Sequence, residues 1–164
     1  YTSNAVNMKG VYSTMNPQFT DIKQLSGSLG APEKIYDFVR NNIEYSHYTP
    51  GYVDDLNVME FEKGDCVGMS NLLASLLIAN GASIEHVYVA IGTVGYSEQR
   101  YPHAWVEFYH NDRWLVLDAT PYLGNFSFDS WTKDAFCREF NAIGYFKYDY
   151  FGSSIVLNVA EDYP

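Results

Sequence analysis

A chain of 164 residues suits one domain better than two, and it is long enough to bury a core without disulfides or a structural metal. A hydrophobic share of 47% against 18% charged residues excludes a disordered chain. Twenty acidic against ten basic side chains give a net charge of -10, which argues against a nucleic-acid partner because phosphate binding needs a basic patch.

No apolar run is long enough for a membrane-spanning helix, so no membrane partner is expected. Two cysteines, Cys66 and Cys137, are too few for a disulfide scaffold. The chain opens on Tyr1 rather than Met, which fits a processed product or part of a larger polypeptide.

Residues 1–30 are rich in Ser, Asn, Gly and Thr without sustained periodicity, and read as an N-terminal arm or linker ahead of a domain spanning 31–164. A helix is expected from Pro32, with Glu33 complementing its dipole and Ile35, Phe38, Val39 and Ile43 forming a stripe to a fraying end at Asn41-Asn42. Residues 46–64, with Pro50, Gly51 and several acids, read as a loop. There Asp54, Asp55, Glu60 and Glu62 are solvated charge, without the spacing of a calcium loop. A second helix follows, capped by Asp65 and closed by Gly81. Leu72, Leu73, Leu76, Leu77 and Ile78 cover so much of its circumference that it must be central and buried. The period then changes to two. Strands are expected over Val87–Val94, His103–Tyr109 and Arg113–Asp118, then a helix over Ser130–Phe140 and a last strand over Ser154–Val159. Cys137 falls on the apolar face of that late helix with Phe136 and Phe140. Helices followed by antiparallel strands make an α+β domain.

Cys66 follows the cap residue directly. It sits where unpaired N–H groups and the positive end of the helix dipole stabilise an anion. Its own N–H is placed to help hold an oxyanion. His103 and Asp118 lie fifteen residues apart on two strands joined by the turn His110-Asn111-Asp112. If the loop is Asn111-Asp112, Asp118 falls opposite Trp105 and diagonal to His103. If it is His110-Asn111, Asp118 faces His103 directly. Either register puts both side chains on one face and within reach of each other. Together these are the parts of an activated-thiol site: Cys66 attacks a carbonyl carbon, His103 takes and returns its proton, and Asp118 orients His103.

The stretch Lys63-Gly64-Asp65-Cys66, with Leu72-Leu73-Ala74, Leu76-Leu77 and Asn80-Gly81-Ala82, resembles the nucleophile helix of the transglutaminase-like superfamily. His103-Ala104-Trp105-Val106-Glu107 resembles its histidine strand, and Trp114-Leu115-Val116-Leu117-Asp118-Ala119-Thr120-Pro121 its aspartate strand. The resemblance covers about residues 31–121. It implies a papain-like core in which the cysteine helix packs on an antiparallel sheet, and chemistry through an acyl-thioenzyme with no cofactor and no metal. It implies a protein or peptide substrate. It also implies an upstream donor completing an oxyanion hole, for which Tyr45 is the matching position. Tyr96, Tyr101, Trp105, Tyr122 and Phe126 are near the expected site and are candidates to line a substrate groove. The compact domain leans toward hydrolysis, as a protease or amidase, over amine-accepting cross-linking.

Two rivals remain on the sequence. Cys66, His103 and Asp118 are acceptable zinc ligands, with His86 or His110 as a fourth, but no short Cys or His spacing supports a metal. A catalytically inactive binding domain on the same fold is the other. It has no chemical reason to keep all three polar residues.

Overall fold

The computed structural model describes residues 4–7, 15–47, 54–96 and 98–156. Pro50 and Gly51, two markers of the expected 46–64 loop, and residues 157–159 of the expected last strand lie outside them.

A central helix organises the chain. This helix, α4 (Cys66–Ala79), is buried continuously from Gly68 to Leu77. Asp65 caps it by accepting from the Gly68 N–H at 2.8 Å, and Gly81 follows its C-cap with φ of 112°, as the sequence predicts. Around it pack α1 (Thr20–Leu29), α2 (Pro32–Asn42) and α3 (Asp55–Phe61). Proline at the start of α2 and the stripe Ile35, Val39 and Ile43, all buried, match the expected pattern.

The sequence reading expected neither helix α1 nor helix α3. Where an arm was expected, α1 docks Ile22 and Ser26 against α4, and the Ser26 hydroxyl donates to the Leu76 carbonyl at 2.9 Å. Its sequence hides it: the N-cap, Phe19, offers no side-chain bond, and Ser26-Gly27-Ser28 has low helix propensity, so docking supplies the order. Within the expected loop, Asp54 is not solvated charge but the cap of α3, accepting from the Leu56 and Asn57 N–H groups at 2.9 and 3.4 Å. Asp55 is fully buried. It accepts from the Asn16 backbone and amide and from the Ser75 hydroxyl, each at 2.6 Å. Burial still pushes its carboxyl above the ordinary range, against the pull of those bonds.

The sheet has six antiparallel strands: β1 (Asn4–Asn7), β4 (Val87–Tyr96), β5 (Gln99–His110), β6 (Arg113–Leu117), β7 (Ile143–Tyr148) and β8 (Ser153–Val156). Their spatial order is β1-β8-β7-β4-β5-β6. The chain thus has the expected α+β architecture with the cysteine helix against an antiparallel sheet. Two strands of two residues each, β2 (Glu44–Tyr45) and β3 (Lys63–Gly64), pair in parallel apart from the main sheet. The sequence reading missed β1, β2, β3 and β7, began β5 at His103 rather than Gln99, ended β4 at Val94 rather than Tyr96, and ran β6 one residue too far, to Asp118.

The period of two divides the core. Val87, Val89, Val106, Phe108, Leu115 and Leu117 face the helices α1–α4. Ala90, Val94, Trp105 and Val116 face α5 (Lys133–Glu139), where Phe136, Cys137 and Phe140 meet them. Glu107, on that second face, is fully buried and is held by Lys133 and Lys147, each 3.3 Å from its Oε1. At the β4–β5 hairpin, Gly95 has φ of 153°, and a Cβ there would lie 2.0 Å from the Gln99 carbonyl oxygen. Gly95→Ala is therefore expected to lower stability by more than about 2 kcal/mol, read as a fall in the denaturation midpoint. A loss under about 0.5 kcal/mol would mean the hairpin adapts freely.

Candidate active site

The β5–β6 turn fixes the site's register. Asn111 and Asp112 both have positive φ, 51° and 63°, as a two-residue hairpin loop requires, and His110 pairs with Arg113. Of the two registers open on sequence, this is the one that makes His103 and Asp118 diagonal neighbours. His103 Nε2 lies 2.7 Å from Asp118 Oδ2, with both side chains about 1% exposed.

A carboxylate only accepts, so Nε2 carries the proton and donates it. The other ring nitrogen, Nδ1, is not engaged by Asp118, and Cys66 lies near enough to the imidazole to favour its protonated form. Burial alone would push the His103 pKa down, but the Asp118 charge and hydrogen bond, with a further contribution from Cys66, raise it above the ordinary imidazole value. The second carboxylate oxygen is also fixed: Oδ1 accepts from the Thr120 N–H at 3.1 Å and its hydroxyl at 2.7 Å.

Cys66 sits at the first turn of α4 and is partly exposed, whereas Cys137 is buried and its thiol is raised to about 12 by burial. The parallel β2–β3 pair runs Tyr45 beside Gly64, next to Asp65 and Cys66. Burial, first, and then the nearby Cys66 and Asp65 raise the Tyr45 phenol to about 12, so it stays a neutral donor. Its hydroxyl is 3.1 Å from His47 Nδ1, a partner the sequence did not suggest.

Of the groove candidates, Tyr122 lies over the site: its ring stacks on the His103 imidazole, centroids 5.6 Å apart, and is 41% exposed. Tyr101 meets the Tyr122 ring edge-on at 5.7 Å. Trp105 does not line an open groove. It is fully buried, packed on Phe136, with its N–H donating to Glu107 at 3.4 Å, and lies beneath His103. The alternation of β5 sends it into the second core. Phe126 likewise packs against Trp131 and Phe140, and the Tyr96 side chain lies outside the described residues.

Among the described residues, no group of three or more His, Cys, Asp and Glu is placed to hold a metal, and no helix is long and apolar enough to cross a membrane.

A family profile described as the transglutaminase-like superfamily matches residues 19–119, more than half of the chain. No curated protein sequence matches it. Among solved structures, a Cytophaga hutchinsonii protein provisionally named a cysteine protease is 18% identical, with a TM-score of 0.51 over 73% of this chain. This chain spans only 49% of that protein's length. Legionella pneumophila LapG, EGTA-treated, is 18% identical with a TM-score of 0.56, covering 79% of this chain and 71% of its own. Its calcium-bound form is 16% identical with a TM-score of 0.54, covering 85% and 78%. At these identities the likeness to solved structures is one of fold alone. With the profile spanning α1 to α4, the cysteine and the strands β5 and β6, the chain belongs to the transglutaminase-like superfamily.

Proposed function

We propose that this domain is a cysteine hydrolase that cleaves an amide or peptide bond through an acyl-thioenzyme. One observation carries the reading: the His103 imidazole is hydrogen-bonded to the buried Asp118 carboxylate, with the Cys66 thiol at the start of α4 near it.

In the first half-reaction, the Cys66 proton is already held on His103 Nδ1 as a thiolate–imidazolium pair, and Sγ attacks the carbonyl carbon as the thiolate. The oxyanion that forms is met by the Cys66 N–H and the Tyr45 hydroxyl. Collapse breaks the C–N bond, and the imidazolium gives its proton to the departing amine. In the second, His103 takes a proton from water, hydroxide oxygen attacks the thioester carbon, and the thiolate leaves and is reprotonated. Asp118 keeps Nε2 protonated throughout, so Nδ1 is always the atom that works. The partial exposure of Cys66 favours water as the acceptor, because solvent reaches the acyl carbon.

The experiment is an acyl-donor screen with peptide amides and activated esters, run with and without an added primary amine. Hydrolysis is expected to dominate, with amine changing the product by less than about a tenth at millimolar levels. Amine-dependent formation of a new amide as the main product would identify a cross-linking transferase instead. A Cys66 that neither acylates nor alkylates would identify an inactive binding domain.

A further inference from the structure

The strap that follows Asp118, residues 119–125, carries Thr120 at one end and Asn125 at the other, with Tyr122 between them over the imidazole. It is tied to the last two turns of α2. The Tyr36 hydroxyl donates to the Asp118 carbonyl at 2.9 Å. Arg40 spreads its guanidinium across the strap. One terminal nitrogen donates to the Gly124 carbonyl and to Asn125 Oδ1, both at 2.8 Å, and its Nε reaches the same Oδ1 at 3.1 Å. The other terminal nitrogen is 3.4 Å from both the Tyr36 hydroxyl and the Asp118 carbonyl.

From this geometry we infer that Tyr36 and Arg40 are positioning residues, which act through the Asp118 main chain and the strap to keep the His103–Asp118 pair and the Tyr122 ring in register with Cys66.

The argument is geometric. A carboxylate aimed at an imidazole is only as well placed as its own backbone, and Asp118 is the first residue after β6 ends at Leu117. The ladder therefore no longer holds it. Its side chain is fixed by Thr120 and its main chain by Tyr36, with Arg40 at longer range. Tyr36 is 1% exposed, so its hydroxyl has little access to water and the carbonyl is its anchor. The planar fork of Arg40 matches two acceptors at once, which a lysine ammonium does not reproduce. Gly124, with φ of 146°, presents its carbonyl to that fork, and a side chain there would meet the Phe126 ring at 3.2 Å. A plainer role for Arg40 is a cation at the end of α2 that complements the helix dipole. That role alone would give it no influence on the thiol.

This inference rests on the activated-thiol reading above. The test uses iodoacetamide, which needs no known substrate. Its rate of reaction with Cys66 is followed against pH in wild type, His103→Ala, Tyr36→Phe, Arg40→Ala, Arg40→Lys and Ser75→Ala. The last loosens the Asp55 contact further along α4 and serves as a control for lost stability. Tyr36→Phe and Arg40→Ala are expected to slow alkylation about tenfold near pH 6 while leaving the rate near pH 9 within about twofold. Arg40→Lys should fall between Arg40→Ala and wild type. Ser75→Ala, at a comparable loss of thermal stability, should leave the profile unmoved. Wild type with a His103-dependent profile, but clamp variants that keep it, would overturn the positioning role and leave the triad standing. Clamp variants that match Ser75→Ala would do the same. A wild-type profile that His103→Ala does not alter would sink the triad reading and this inference with it.

Discussion

Cys66→Ala is expected to remove turnover of any acyl donor that the wild-type protein processes, by at least about ten-thousandfold in kcat, with the fold unchanged. The residue is partly exposed at the first turn of α4, so losing its sulfur opens no core cavity. The stability cost should stay within about 0.5 kcal/mol. The same thiol should react with iodoacetamide near pH 6, where an ordinary cysteine is almost wholly protonated, and His103→Ala should suppress that reaction. Cys137 supplies an internal reference, because burial holds it as an unreactive thiol. Residual turnover in Cys66→Ala within about a hundredfold of wild type would mean that the chemistry runs elsewhere.

Asp118→Asn should cost about a thousandfold to ten-thousandfold in kcat, for a reason of tautomer rather than shape. The amide fills the same volume and can still accept from Thr120. Facing His103, however, it can present N–H, which turns the ring so that Nδ1 carries the proton and cannot accept one from Cys66. The charge matters as well. Burial alone pushes the imidazole down, and without the carboxylate that push prevails. The sign of the stability effect follows. The folded-state pKa of His103 is raised, so its contribution is fully present below about 6.5, the unfolded value, and is lost as pH rises through the folded value. Wild type should therefore lose stability between about pH 6.5 and that higher value, and Asp118→Asn should lose this component of the slope. Denaturant titrations across that range, on both proteins, measure it. Parallel slopes would show that the buried pair does not carry the charge assigned to it.

What could be read from sequence was whatever local chemistry settles. A cap at Asp65 and a glycine at position 81 bracket the nucleophile helix because helix ends are specified by the residues at them. The face shared by His103 and Asp118 followed from parity. Choosing between the two registers needed the backbone of Asn111 and Asp112. The reading failed where tertiary contact overrides local preference. Asp54 and Asp55 look like an acidic loop until Asn16 and Ser75, distant along the chain, are seen to hold the second of them. A cap at Asp54 followed by Leu56, Val58 and Met59 was the available signal for α3. Nothing local marked α1, nor the sinking of Trp105 beneath the site by the second core, which forms only when residues 131–142 return over the sheet.

The two-residue turn between β5 and β6 also sets an order in time. His103 and Asp118 are brought together by a local hairpin, of a kind that closes in about microseconds, whereas Cys66 arrives from another part of the chain only when α4 docks. A nascent or partly opened chain can thus carry an imidazole–carboxylate pair with no thiol to activate. Under the proposed mechanism the sulfur becomes reactive only with the packed core, and its alkylation at low pH would then double as a clock for folding and a gauge of local opening.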